Sequence, residues 1–112
     1  LARATQAGVE AIGLKLYAPA EGRSAAVTTV LVPESVDCKK LIGLMKNKHG
    51  VTVAGGQDHL SGRIIRIGHL GYFGNFDTIV TLSALEMALA ELGYEFEQGA
   101  SIRAAQAVFA ES

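Results

Sequence analysis

Arg66 is the residue of this chain best placed to do chemistry. It lies in the run Ser61-Gly62-Arg63-Ile64-Ile65-Arg66-Ile67-Gly68-His69-Leu70-Gly71, mid-strand among apolar neighbours. A planar guanidinium presents N–H donors in a fork that matches a carboxylate bidentately, so one arginine could both fix and orient an amino or keto acid. From position alone, pairing with an Asp or Glu of the same chain, or a strand-edge charge in water, stays open. No nucleophile or general base is grouped with Arg66. The chain also begins at Leu1 and not at a methionine, and both features suggest part of an enzyme.

The other reactive side chains form no second constellation. His59 and His69 lack the spacing of a helical pair or a zinc finger, and a metal site needs more ligands than these. His49, at the end of a helix-like stretch, suits a favourable contact with the helix dipole. Cys38 follows Asp37 near a helix start, where the dipole could lower its pKa, but a small apolar filler is the plainer role. Gly55-Gly56 is followed by no Gly-x-Gly-x-x-Gly turn into a helix, so nucleotide binding is rejected and a tight turn expected. Lys15, Lys39, Lys40, Lys46 and Lys48 fall at helix-like, solvated positions.

These residues need elements to hold them. Val9, Ile12 and Leu16 recur at helical spacing, predicting a helix from Leu1 to about Leu16. Pro19, Gly22 and Ser24 mark a loop, and the β-branched run Val27 to Val32 reads as a strand stopped by Pro33. Ser35 is a good N-cap for a helix over Val36 to Lys48, with Asp37 in its first turn, an apolar stripe of Leu41, Leu44 and Met45, and Gly50 as its stop. Val51 to Val53 and Arg63 to Ile67 form an antiparallel hairpin whose long loop runs through Gln57, Asp58 and Ser61. Asn75 or Asp77 caps a longer helix carrying Leu82, Leu85, Leu89 and Leu92 and ending at Gly93. Ser101 caps a last one through Ile102, Ala105 and Phe109.

Helices interleaved with too few strands for a doubly wound sheet predict a two-layer α+β domain, a small mainly antiparallel sheet with helices on one face. Strand alternation puts Ile65 and Ile67 on one side and Ile64, Arg66 and Gly68 on the other. Helices over the isoleucine pair leave Arg66 on the opposite side, and Gly68 lets a ligand or backbone come close. Arg63, an odd number of positions away, cannot point into the same site.

At 112 residues, 49% hydrophobic, without Trp and with a net charge of −1, the chain reads as one globular domain. The balance of acid and base argues against nucleic acid, since no basic run exceeds Lys39-Lys40. No apolar stretch reaches bilayer length, and no targeting segment is visible. One cysteine excludes an internal disulfide or a thiolate cluster for zinc or iron–sulfur and suits a reducing, cytoplasmic compartment.

Three blocks in order, Ala26-Val27-Thr28-Thr29-Val30-Leu31-Val32-Pro33, Val51-Thr52-Val53-Ala54-Gly55-Gly56 and the Arg-Ile-Gly-x-Leu-Gly signature that closes at Gly71, resemble the C-terminal small domain of class V pyridoxal-phosphate aminotransferases of the serine–pyruvate and alanine–glyoxylate group. The likeness runs from about Val9 to Tyr94, and the tail from Glu95 is most similar to members labelled small subunit of soluble hydrogenase. It implies that residues 1–112 are the small domain of a fold-type I enzyme, with Leu1 to about Leu16 a connecting helix from the large domain and residues 95–112 a tail helix. It further implies that Arg66 binds the substrate α-carboxylate, and that the parent is a homodimer moving an amino group from a small amino acid such as serine or alanine to a 2-oxo acid such as glyoxylate or pyruvate. The cofactor lysine of such enzymes belongs to the large domain of the same chain and matches no lysine here, so the segment alone should bind no pyridoxal phosphate and be inactive. The alternatives are a free-standing amino-acid-binding or regulatory module and a structural subunit of a hydrogenase.

Overall fold

The computed structural model describes residues 2–17, 27–56, 62–68 and 74–111. The Pro19 to Ser24 loop, Gln57, Asp58, His59, Ser61, and His69 to Gly71 lie outside the described residues. The element order is α1 (Ala2–Ala11), β1 (Lys15–Leu16), β2 (Val27–Leu31), α2 (Cys38–Asn47), β3 (Ala54–Gly55), β4 (Ile64–Gly68), α3 (Asn75–Glu91) and α4 (Ala100–Glu111). The strands form one antiparallel sheet in the order β1-β2-β4-β3, as the two-layer α+β reading required. Both edge strands are two residues long.

The first helix is shorter than its spacing suggests. It stops at Ala11 because Gly13 takes a left-handed φ of 86° and its N–H bonds to the Glu10 carbonyl, while the N–H of Leu14 bonds to that of Val9. This glycine-terminated helix end turns the chain out of the helical path, and Lys15–Leu16 pairs with β2 as a strand. Lys15 is therefore a strand residue, not a helical one. The same terminator recurs at Gly93, where φ is 85° and the N–H of Tyr94 bonds to the Leu89 carbonyl. Tyr94 then donates its hydroxyl to the Ile12 carbonyl at 2.9 Å, tying the ends of α1 and α3 together.

Three caps also differ in residue. For α2 it is Asp37, whose carboxylate accepts from the N–H of Lys40 at 3.1 Å, and not Ser35. For α3 it is Gly74, with Asp77 reaching back to accept from the Gly74 N–H at 2.7 Å. For α4 the acceptor comes from another helix. Glu86, 4% exposed in α3, takes the N–H groups of Gly99 at 2.6 Å and Ser101 at 3.1 Å together with the Ser101 hydroxyl. A carboxylate suits that place, because the first N–H groups of a helix lack intrahelical partners and carry partial positive charge.

The core lies on the side of the sheet carrying Val30, Ile65 and Ile67, which join Val9, Leu41, Met45, Leu82, Leu85 and Leu89 in one cluster. Among the helices, α3 packs on α1, α2 and α4, and α1 lies along α4. Both α3 and α4 approach α1 so closely that a Cβ on Gly8 would stand 2.7 Å from Leu82 Cδ1 and 3.0 Å from the Ser101 carbonyl oxygen. Gly55 belongs to β3 and has no left-handed φ, so the tight turn expected at Gly55-Gly56 is not what it serves.

Candidate functional site

Arg66 stands at the middle of β4, an interior strand, between Thr29 of β2 and Ala54 of β3. Alternation holds: Ile65 and Ile67 face the helices, while Arg66 shares the other face with Gly68, Thr29 and Ala54. That face is only partly covered. Arg66 is half-buried, Ala54 and Gly68 are exposed, and Tyr17, whose N–H bonds to the Thr29 carbonyl, is 46% exposed. Ile64, on this face, is nonetheless buried at 3%. Arg63, just before β4, is exposed, and its carbonyl accepts from the N–H of Val32 at 2.8 Å.

The Arg66 side chain is tethered at one edge. Its Nε–H donates to the Gly55 carbonyl at 3.0 Å. Among the described residues no Asp or Glu forms an ion pair with it; the pairs there are Arg3 with Glu111, Lys48 and His49 with Glu91, and Arg103 with Glu97. Committing Nε to a carbonyl takes up the side of the fork that includes it, and the two Nη groups remain to meet a carboxylate end-on. This arrangement can bind and orient a small acid. It cannot by itself abstract a proton or form a covalent bond.

The remaining expectations fall elsewhere. Cys38 is 4% exposed and donates its thiol to the Ile64 carbonyl at 3.4 Å. Burial first, and the neighbouring Asp37 second, push its pKa up. The helix start therefore does not activate it, and the apolar-filler role holds. His49 contacts the Glu91 carboxylate at 3.2 Å beside Lys48, and those two partners hold the Glu91 pKa below its usual value. His59 and His69 lie outside the described residues. A groove of about 960 Å³ runs between α3, residues 93–99 and α4 and is not lined by Arg66. The arginine sits instead on a sheet face that the described residues leave open.

All five lysines have exposed side chains, and Lys48 is paired with Glu91. A lysine that forms a Schiff base is normally desolvated or held beside another cation to lower its pKa, and none of the five is desolvated here. Among the described residues no group of three or more His, Cys, Asp or Glu is placed to hold a metal ion. No helix among them is long and apolar enough to cross a membrane.

No family model matches the chain. Individual proteins do. It is 46% identical over 98 residues to an uncharacterized aminotransferase of Methanocaldococcus jannaschii, covering 88% of this chain and 26% of that protein. It is 47% identical to the small subunit of a soluble hydrogenase of Synechococcus, covering 96% of this chain and 28% of the relative. Among solved structures, a pyridoxamine–pyruvate aminotransferase of Mesorhizobium loti superposes with a TM-score of 0.91 at 33% identity, over 99% of this chain and 29% of that one. A ureidoglycine–glyoxylate aminotransferase of Bacillus subtilis superposes with a TM-score of 0.93 at 28% identity, over 97% and 28%. The chain has the fold of an aminotransferase small domain. It belongs with the C-terminal small domains of the class V aminotransferases and spans little more than a quarter of the length of the relatives it matches.

One feature of the site had no signal in the sequence, the Gly55 carbonyl that holds Arg66. Side-chain patterns say nothing about which main-chain oxygen a long cation will reach.

Proposed function

We propose that this chain is the substrate-carboxylate-binding domain of a pyridoxal-phosphate-dependent transaminase, moving an amino group from a small amino acid such as serine or alanine to a 2-oxo acid such as glyoxylate or pyruvate. The observation that carries the reading is Arg66 itself, an interior-strand arginine on an open face, tethered through Nε and without an acid partner among the described residues. Aminotransferases among its relatives and structural neighbours support the reaction class. Pyridoxal phosphate would be held by a larger domain of the same polypeptide, for which α1 would be the connection, in a cytoplasmic homodimer. Arg66 would fix the α-carboxylate while the chemistry takes place on groups outside this segment, which alone is inactive. The α-carboxylate is common to all amino acids, so this contact orients the substrate without choosing its side chain.

In the full-length protein, Arg66→Ala should lower kcat/KM for amino acids by about 2–5 kcal/mol of transition-state stabilisation, the usual cost of removing one member of a desolvated charge pair. Absorbance of the bound cofactor should change little. Arg66→Lys should restore part of the loss, because an ammonium supplies charge but no planar fork. Arg63→Ala is the control, since that exposed side chain lies outside the site. Steady-state kinetics that make the Arg66→Ala and Arg63→Ala variants alike would end the assignment. For the isolated segment, borohydride treatment with pyridoxal phosphate should trap no stoichiometric adduct at one lysine.

A further inference from the structure

We infer that Gly55 is a positioning residue for Arg66, its main-chain carbonyl holding the Nε edge so that the two Nη groups meet the substrate carboxylate end-on; this rests on the proposed role of Arg66. Three observations bear on it. Arg66 Nε–H donates to the Gly55 carbonyl at 3.0 Å across the β3–β4 pair. Gly55 lies in an ordinary strand without a left-handed φ, so backbone conformation does not demand glycine there. Space is tight instead: a Cβ at position 55 would lie 3.2 Å from Ile42 Cδ1 on α2, which would have to give by a few tenths of an ångström.

A short edge strand is pinned by what it rests on, and β3 has only two residues of ladder. Its distance from α2 therefore sets where the Gly55 carbonyl stands. Because that carbonyl holds the guanidinium by one bond, moving β3 outward would rotate the fork in its own plane. The arginine would keep its charge and its place on β4. What would change is the direction of the Nη pair, and with it the pose of any acid it binds. Ile42 thus acts on the site through Gly55 without touching a ligand.

The test uses the full-length protein, with KM and kcat measured for an amino donor and a 2-oxo acceptor. Gly55→Val, which thrusts methyl groups at Ile42, should raise KM for both by about tenfold, more than it lowers kcat. Adding Ile42→Ala should return KM to within about threefold of the parent by restoring room beneath β3. In an Arg66→Lys background, where there is no planar fork to aim, Gly55→Val should change KM less than about twofold. Thermal melts accompany each variant, and the milder Gly55→Ala substitutes if Gly55→Val fails to fold. A purely structural role would lower stability and leave the effect equally large with lysine at position 66; that result, or a silent Gly55→Val, overturns the inference while leaving Arg66 as the anchor. If Arg66→Ala keeps near-normal KM, the carboxylate reading falls first and this inference falls with it.

Discussion

Glu86 shows how much one side chain can contribute when its partners are main-chain donors. It sits on α3 among leucines and alanines, yet its carboxylate is the acceptor for the start of α4, taking the N–H groups of Gly99 and Ser101 and the Ser101 hydroxyl. Glu86→Ala should destabilise the domain by about 1–3 kcal/mol, because it strands the buried N–H and hydroxyl of Ser101. Glu86→Gln, which keeps one acceptor oxygen, should cost less, and urea denaturation of the two variants would rank them. An alanine variant as stable as the parent would mean that α4 finds its acceptors elsewhere. Nothing in the sequence pointed to this, since Ser101 had the composition of a cap while the residue that does the capping lies fifteen positions earlier. The orientation of Arg66 was legible, by contrast, because strand alternation depends only on counting residues from Ile65 and Ile67. Its tether to Gly55 was not.

Among the elements, β2, α2, β4 and α3 were readable from β-branched runs and from leucines spaced three and four apart. The errors cluster where glycine decides. Gly13 ends α1 early and lets Lys15–Leu16 join the sheet, while the expected Val51 to Val53 strand appears instead as Ala54–Gly55. Two residues are too few for a periodic signal. Glycines inside helices offer a sharper test, because the same substitution should have opposite signs at two sites. Alanine is worth up to about 1 kcal/mol over glycine in a helix interior. At Gly43 in α2, where a Cβ would meet nothing within 4 Å, Gly43→Ala should stabilise by about 0.5–1 kcal/mol. At Gly8 the Ser101 carbonyl oxygen and Leu82 block the same Cβ. Overpacking of that kind costs about 1–3 kcal/mol, so Gly8→Ala should be net destabilising despite its better propensity. Thermal or denaturant melts that moved both variants in the same direction would contradict this picture of how α1 packs on α3 and α4.

Self-association of the isolated chain is a property of the molecule as a whole, and Ile64, on the Arg66 side of the sheet, is buried and offers it almost no apolar surface. The large apolar side chains left in water include Phe76 at 85%, Val80 at 55% and Met87 at 52% exposure, all on one stripe of α3. Sedimentation of the isolated chain at high concentration should show association that Phe76→Lys with Met87→Lys reduces; a double variant that associates as strongly as the parent would exclude the stripe. The two-residue edges of the sheet govern what such association can become. A strand that adds to a sheet needs a row of unpaired N–H and C=O groups, and β1 and β3 each offer a ladder of only two residues. Among the described residues these two short edge strands therefore offer little template for a further strand, and encounters through the α3 stripe, made by side chains, should dissolve on dilution.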